Sequence, residues 1–248
     1  MKHAPATQGG ARMGYVELPG DGPVLVFIHG LGSSSLPYFT PVAADPALAG
    51  ARSLLVDLLG FGISDRPHDF GYTIPEQARA VATFLDKLNI AGAHVVAHSM
   101  GGSIAIHLAS ERTDLVAGLV TVEPNLLPSR RPRVEPYTEE TFVTKGFARA
   151  LATCGEAWVA TMRLADPVAL FRAENALGRN MPADLAERYL RLPMPRLMIR
   201  GALTACHPCE EEIAAAGIPV ATIPDAGHNT MLDNHAAFVS ALAAFLPR

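Results

Sequence analysis

The chain has 248 residues, 49% of them hydrophobic and 18% charged, and a formal net charge of −4. This composition excludes a disordered tail, and the weakly acidic balance removes any general attraction to nucleic acid or to an anionic membrane. Three cysteines in this length do not make a disulfide framework, and no apolar run is long enough to span a bilayer.

The opening stretch, MKHAPATQGGARMGYVELPG, lacks the apolar segment of a secretory signal, so a soluble cytoplasmic protein is expected. Short runs rich in Val, Ile and Leu then recur: VLVFIHG at 24–30, RSLLVDLLG at 52–60, AHVVAHS at 93–99, AGLVTVE at 117–123, RLMIRG at 196–201 and VATIPDAG at 220–227. Continuous apolar runs of this length suit strands buried on both faces, in a parallel sheet covered by helices. Helical patterns lie between them. In IPEQARAVATFLDKLNI, Pro75 suits a first turn, and Ala78, Val81, Phe84, Leu85 and Leu88 make one apolar stripe. MGGSIAIHLASER and NHAAFVSALAAFL repeat the pattern. Strand alternating with helix predicts an α/β, doubly wound, mostly parallel sheet.

The alternation breaks between about Leu127 and Pro193, where the pattern is helical and holds no convincing strand. The expected organisation is a core of residues 1–127 and 194–248 with a helical lid inserted over 128–193. Pro128, Pro132 and Pro136 open the insertion and PMPR, 193–196, closes it. Arg130, Arg131 and Arg133 gather there, but so short a run reads as a solvated loop.

Chemistry concentrates at the ends of the predicted strands. In AHSMGG, 97–102, a strand leads through Ser99 and two glycines into a helix. So tight a turn strains the serine and exposes its hydroxyl, the nucleophile elbow of the pattern Gly-x-Ser-x-Gly with Ala97 in place of the first glycine. A serine hydroxyl needs a base that titrates near neutrality. Among nine histidines, His228 alone sits on a separate loop after a strand; His94, His98 and His107 belong to the elbow's own strand and helix. FIHGLGSS, 27–34, ends a buried strand in a loop whose Leu31 amide, with that of Met100, can bind a developing oxyanion. His29 reads as a structural brace.

Together HGLGSS, DLLGFGISDRP (57–67), AHSMGGSIAIHLA and DAGHNTMLDN resemble the α/β-hydrolase superfamily over nearly the whole chain outside the insertion. The resemblance implies Ser99 as nucleophile, His228 as base, Leu31 and Met100 as oxyanion hole, and a lid over an apolar pocket. It spans esterases, lactonases, thioesterases, acyltransferases, amidases, cofactor-free haloperoxidases and dehalogenases, and fold alone does not choose among them.

The acid partner is the departure. Most of the superfamily carries it after the strand equivalent to RLMIRG, where this chain has Thr204 and no carboxylate until Glu210. Glu123, before Pro124 at the tip of the preceding strand (the sixth of the family's sheet), is the alternative, as in some dehalogenases and lactonases; Asp225 and Asp233 are tied to the histidine's own loop. On this reading Thr204→Ala barely matters. Cys206, His207 and Cys209 read as structural loop residues rather than a zinc or redox site. The expected activity is hydrolysis of an apolar carboxylic ester or lactone by Ser99, His228 and Glu123, without cofactor or metal, nucleic acid or membrane. Transfer to another acceptor such as peroxide or an alcohol, and a non-catalytic ligand-binding protein on the same fold, are the alternatives.

Overall fold

The computed structural model describes residues 1–129 and 134–247. The arginines at 130, 131 and 133, expected in a solvated loop, lie outside these residues. In chain order the strands are β1 (Lys2–Pro5), β2 (Arg12–Leu18), β3 (Val24–Ile28), β4 (Arg52–Val56), β5 (Ala93–His98), β6 (Val116–Val122), β7 (Arg196–Gly201) and β8 (Val220–Ile223). The helices are α1 (Ser35–Ala43), α2 (Ile74–Lys87), α3 (Met100–Glu111), α4 (Glu139–Thr141), α5 (Phe147–Thr153), α6 (Glu156–Met162), α7 (Pro167–Leu177), α8 (Leu185–Arg191), α9 (Glu210–Ala215), α10 (Thr230–Asp233) and α11 (His235–Phe245).

The strands form one sheet in the order β1-β2-β4-β3-β5-β6-β7-β8. From β4 to β8 every pairing is parallel, while β1 and β2 add an antiparallel edge. The doubly wound sheet is therefore as the apolar runs predict, and those runs are β3 to β8. β1 and β2 were not legible. β1 is mostly exposed and β2 only partly buried, so neither carries a continuous apolar run.

Within β3 the side chains alternate between two cores, as a pleated strand requires. Val26 and Ile28 pack with Phe84 and Ile104 on the side of α2 and α3, while Leu25 and Phe27 pack with Phe39 and Phe238 on the side of α1 and α11. A strand covered on both faces has no polar side to show, which is why these segments read as unbroken apolar runs. α2 begins as its sequence suggests. Thr73 Oγ1 accepts from the Glu76 amide at 3.3 Å, Glu76 Oε2 accepts from the Thr73 amide at 3.1 Å, and Pro75 stands in the first turn.

Between β6 and β7 the described residues contain helices and no strand. This segment lies against the loops that follow β3 and β4. Trp158 Nε1 donates to Leu31 O at 3.0 Å, the Asp166 amide to Gly60 O at 2.9 Å and Arg66 Nη2 to Leu164 O at 2.8 Å.

Candidate active site

The carboxyl ends of β3, β5, β6, β7 and β8 share one edge of the sheet, the usual place for a site in an open α/β sheet. Ser99 follows β5 directly, and its amide continues the ladder to Val122 O at 2.8 Å. Its backbone then turns into α3 at φ 53° and ψ −120°, outside the regions where an L-residue rests without strain. The turn closes because of Gly101: a methyl there would meet His29 O at 2.5 Å and Ile28 O at 2.8 Å. Ala97, in place of the motif's first glycine, is accommodated fully buried.

Glu123 emerges one strand over, its amide extending the ladder to Ile199 O at 2.9 Å. It too is left-handed, with φ 49°. Its Oε2 lies 3.6 Å from His228 Nδ1, an ion-pair distance longer than a formed hydrogen bond. Oε1 accepts from the Gly201 amide at 2.7 Å and from Thr204 Oγ1 at 2.6 Å. Thr204, whose replacement by alanine was expected to matter little, thus places its hydroxyl on the carboxylate. Burial pushes the Glu123 carboxyl up, but His228, the Thr204 hydroxyl and the Gly201 amide outweigh it and hold the group below its ordinary value of 4.5.

The sign of the resulting pH dependence follows. A carboxyl whose folded pKa is depressed adds stability above its unfolded pKa and loses it as pH falls through the folded value. Between neutrality and acid, the unfolding free energy of the wild type should therefore drop more steeply than that of Glu123→Gln. Denaturant titrations across that window check it.

His228 is reached from three sides. Its ring lies 4.7 Å from the ring of His98 and 6.3 Å from the indole of Trp158, centroid to centroid. His98 Nε2 stands 2.9 Å from His228 O. Burial, with His228 beside it, pushes the His98 imidazole down to about 3. A neutral ring facing a carbonyl must carry its proton on Nε2, so His98 donates and fixes the main chain of the His228 loop. Neither this bracing nor the contact of Trp158 with Leu31 was legible in the sequence.

The turn was expected to expose the hydroxyl, but Ser99 is nearly covered, at 6% exposure, and its hydroxyl donates to Asn125 Oδ1 at 3.2 Å. Among the described residues no hydrogen bond joins it to the His228 ring. Such bonds are often long or misaligned in a free enzyme and tighten only with substrate. Asn125 was missed by sequence reasoning, since a polar residue beyond a strand end is ordinary in a loop.

The loop after β3 is held by Asp57, itself 3% exposed. Its carboxylate accepts from the Ser35 amide at 2.7 Å, Ser34 Oγ at 3.0 Å and the Ile63 amide at 2.9 Å. The motifs HGLGSS and DLLGFGISD are thus one structural unit. His29 is fully buried and accepts from the Leu58 amide at 3.0 Å through Nε2, a brace as expected. The amides of Leu31 and Met100 bond no backbone oxygen among the described residues. Asp57→Ala would leave buried donors unpaired and should lower the unfolding free energy by about 3 kcal/mol, read from urea denaturation.

The remaining candidates lie elsewhere. Glu210 opens α9 and stands 3.3 Å from Arg200 Nε. Asp233 accepts from the Gly227 amide at 2.9 Å, within its own loop. His235 opens α11 and lies 3.0 Å from Asp45 Oδ2. His207 Nδ1 accepts from the Cys209 amide at 3.1 Å, a local loop contact.

The model of the alpha/beta hydrolase fold family matches residues 23–204. The chain belongs to that family. A haloalkane dehalogenase of Bradyrhizobium diazoefficiens is 35% identical over 121 residues, which is 46% of this chain and 36% of that protein. The chain spans less than half the length of the curated relatives it matches. Among solved structures, a thermophilic esterase from Thermogutta terrifontis superposes with a TM-score of 0.77 at 22% identity, covering 98% of this chain and 97% of the other. An N-acyl homoserine lactonase superposes with a TM-score of 0.78 at 20% identity, covering 98% and 95%. At these identities the likeness establishes the shared fold. No helix among the described residues is long and apolar enough to cross a membrane.

Proposed function

We infer that this α/β hydrolase is a serine hydrolase that cleaves a carboxylic ester or lactone through an acyl-enzyme. The observation that carries the reading is the strained serine at the β5–α3 turn, with Glu123 beyond β6 and His228 beyond β8 meeting across the end of β7 on the same sheet edge. Ser99 Oγ attacks the carbonyl carbon, and its proton passes to His228 Nε2. The Glu123 carboxylate holds the ring by its Nδ1–H and stabilises the imidazolium. The Leu31 and Met100 amides bind the tetrahedral oxyanion. His228 returns the proton to the leaving alkoxide, and water, deprotonated by the same ring, releases the acid.

Residues 128–193 act as the cap. Within it a cavity of about 590 Å³ is lined by Tyr137, Phe142, Met162 and Leu170 on one hand and by Arg149, Thr153 and Glu174 on the other, and Ser99, His228 and Glu123 are not among its lining residues. Met162 and Leu170 also reach the oxyanion loop, where a methyl on Gly32 would meet Met162 Cε at 3.1 Å. The apolar side chains Met162 and Leu170, where they meet the Gly32 turn, suit an apolar acyl or ring group. The dehalogenase likeness does not extend to the nucleophile. In this fold dehalogenation uses a carboxylate at the elbow, and this chain has a hydroxyl there.

The test is turnover of p-nitrophenyl acetate and butyrate and of lactones of graded size, with fluorophosphonate labelling followed by intact mass. A burst of nitrophenol and one adduct, mapped to Ser99, are expected. No turnover and no adduct would overturn the reading in favour of a binding protein.

A further inference from the structure

On the superfamily's usual plan the turn after β7 presents the acid; here it presents a hydroxyl, and that hydroxyl meets the relocated carboxylate. Thr204 Oγ1 lies 2.6 Å from Glu123 Oε1 and 2.8 Å from Gly201 O. It has one proton. The charged carboxylate is the stronger acceptor and the nearer, so the proton goes to Glu123. Gly201 O is still served by the Thr204 amide at 3.3 Å.

The turn that carries Thr204 is fastened to the strand and loop that carry His228. The Ala202 amide donates to Ile223 O and the Leu203 amide to Ala226 O, each at 2.9 Å. Gly201 lets the two segments touch: a methyl on it would meet Ala226 O at 2.3 Å and Gly227 O at 2.4 Å. One turn therefore grips the acid through Thr204 and Gly201 while it grips the histidine's loop through Ala202 and Leu203. With Oε1 taken by two donors, Oε2 is the oxygen left facing His228 Nδ1.

We propose that Thr204 is a positioning residue of the catalytic apparatus: its hydroxyl orients the Glu123 carboxylate toward His228, in the place where the superfamily's usual acid would stand. The assignment rests on the serine-hydrolase reading given above. Thr204→Val keeps the β-branched shape and removes only the hydroxyl. It should lower kcat by about 10- to 100-fold, the range of one hydrogen bond to a charged group, with KM little changed. Thr204→Ser should recover most of the loss.

An NMR signature of the imidazole separates positioning from general support of the fold. In the wild type the nitrogen shifts of the His228 ring, which report the tautomer and need no slowly exchanging proton, should show the proton on Nδ1 facing the carboxylate, a resonance pattern that is absent in Glu123→Gln. It should weaken or vanish in Thr204→Val and return in Thr204→Ser, compared at a temperature well below the melting points of both variants. Wild-type kcat in Thr204→Val together with an unchanged resonance would overturn the proposal. If the wild type itself neither turns over esters nor takes fluorophosphonate, the hydrolase reading fails; the resonance in Thr204→Val still decides whether Thr204 orients Glu123.

Discussion

Replacing Ser99 with alanine should lower kcat for p-nitrophenyl butyrate by about 10⁴- to 10⁶-fold and abolish both the burst and the fluorophosphonate adduct. Without the hydroxyl there is no atom to form the acyl-enzyme. On the proposed reading, what survives is the rate that substrate binding and the amides of Leu31 and Met100 give to direct attack by water. The fold should tolerate the change. Alanine adopts φ 53° no more easily than serine does, so the turn keeps the same strain, and the one side-chain bond lost runs to Asn125 at 3.2 Å. Steady-state rates, intact mass and a melting curve on the same preparation test this. An alanine variant with wild-type turnover and unchanged melting would remove Ser99 from the chemistry.

Glu123→Gln should cost about 10⁴-fold in kcat with little change in KM. The size follows from hydrogen-bond direction, beyond the lost charge. Two donors, the Gly201 amide and the Thr204 hydroxyl, converge on Oε1. A glutamine keeps its carbonyl oxygen there, so its NH₂ group takes the place of Oε2 and donates to His228 Nδ1. The imidazole is then forced to carry its own proton on Nε2 and cannot accept one from Ser99. A ring in the wrong tautomer is a worse base than one that has merely lost a charged neighbour. Glu123→Asp keeps the charge but pulls it back by one methylene from a contact already at 3.6 Å, and should fall between wild type and glutamine. Wild-type rates in the glutamine variant would return the acid role to another residue.

Much of this protein was legible in one dimension because its constraints are local. Strands covered on both faces are largely apolar, so β3 to β7 announced themselves, and with the shorter apolar run of the edge strand β8 they gave the parallel sheet. The elbow was legible for a similar reason: only small residues let α3 start so close to β3, and Gly101 beside Ser99 records that crowding. The antiparallel pair β1 and β2 escaped because half-exposed residues obey no comparable rule.

The candidate site divides the same way. That Ser99 and Glu123 stand at strand ends, and His228 on a loop beyond one, is a property of the chain's own order. That Glu123 faces His228 is not, because it depends on which strands lie side by side. β6, β7 and β8 are neighbours in the sheet, and only this adjacency lets the turn after β7 hold a carboxylate from one side and a histidine's loop from the other. Thr204 shows the limit plainly. In sequence it is a threonine in a loop, remarkable only for not being an aspartate. Its hydrogen bond spans 81 positions of chain, so the partner that gives it meaning exists only once the sheet has formed. Residue types are set by what each position must bury or donate; their partners are set by packing, which no local pattern encodes.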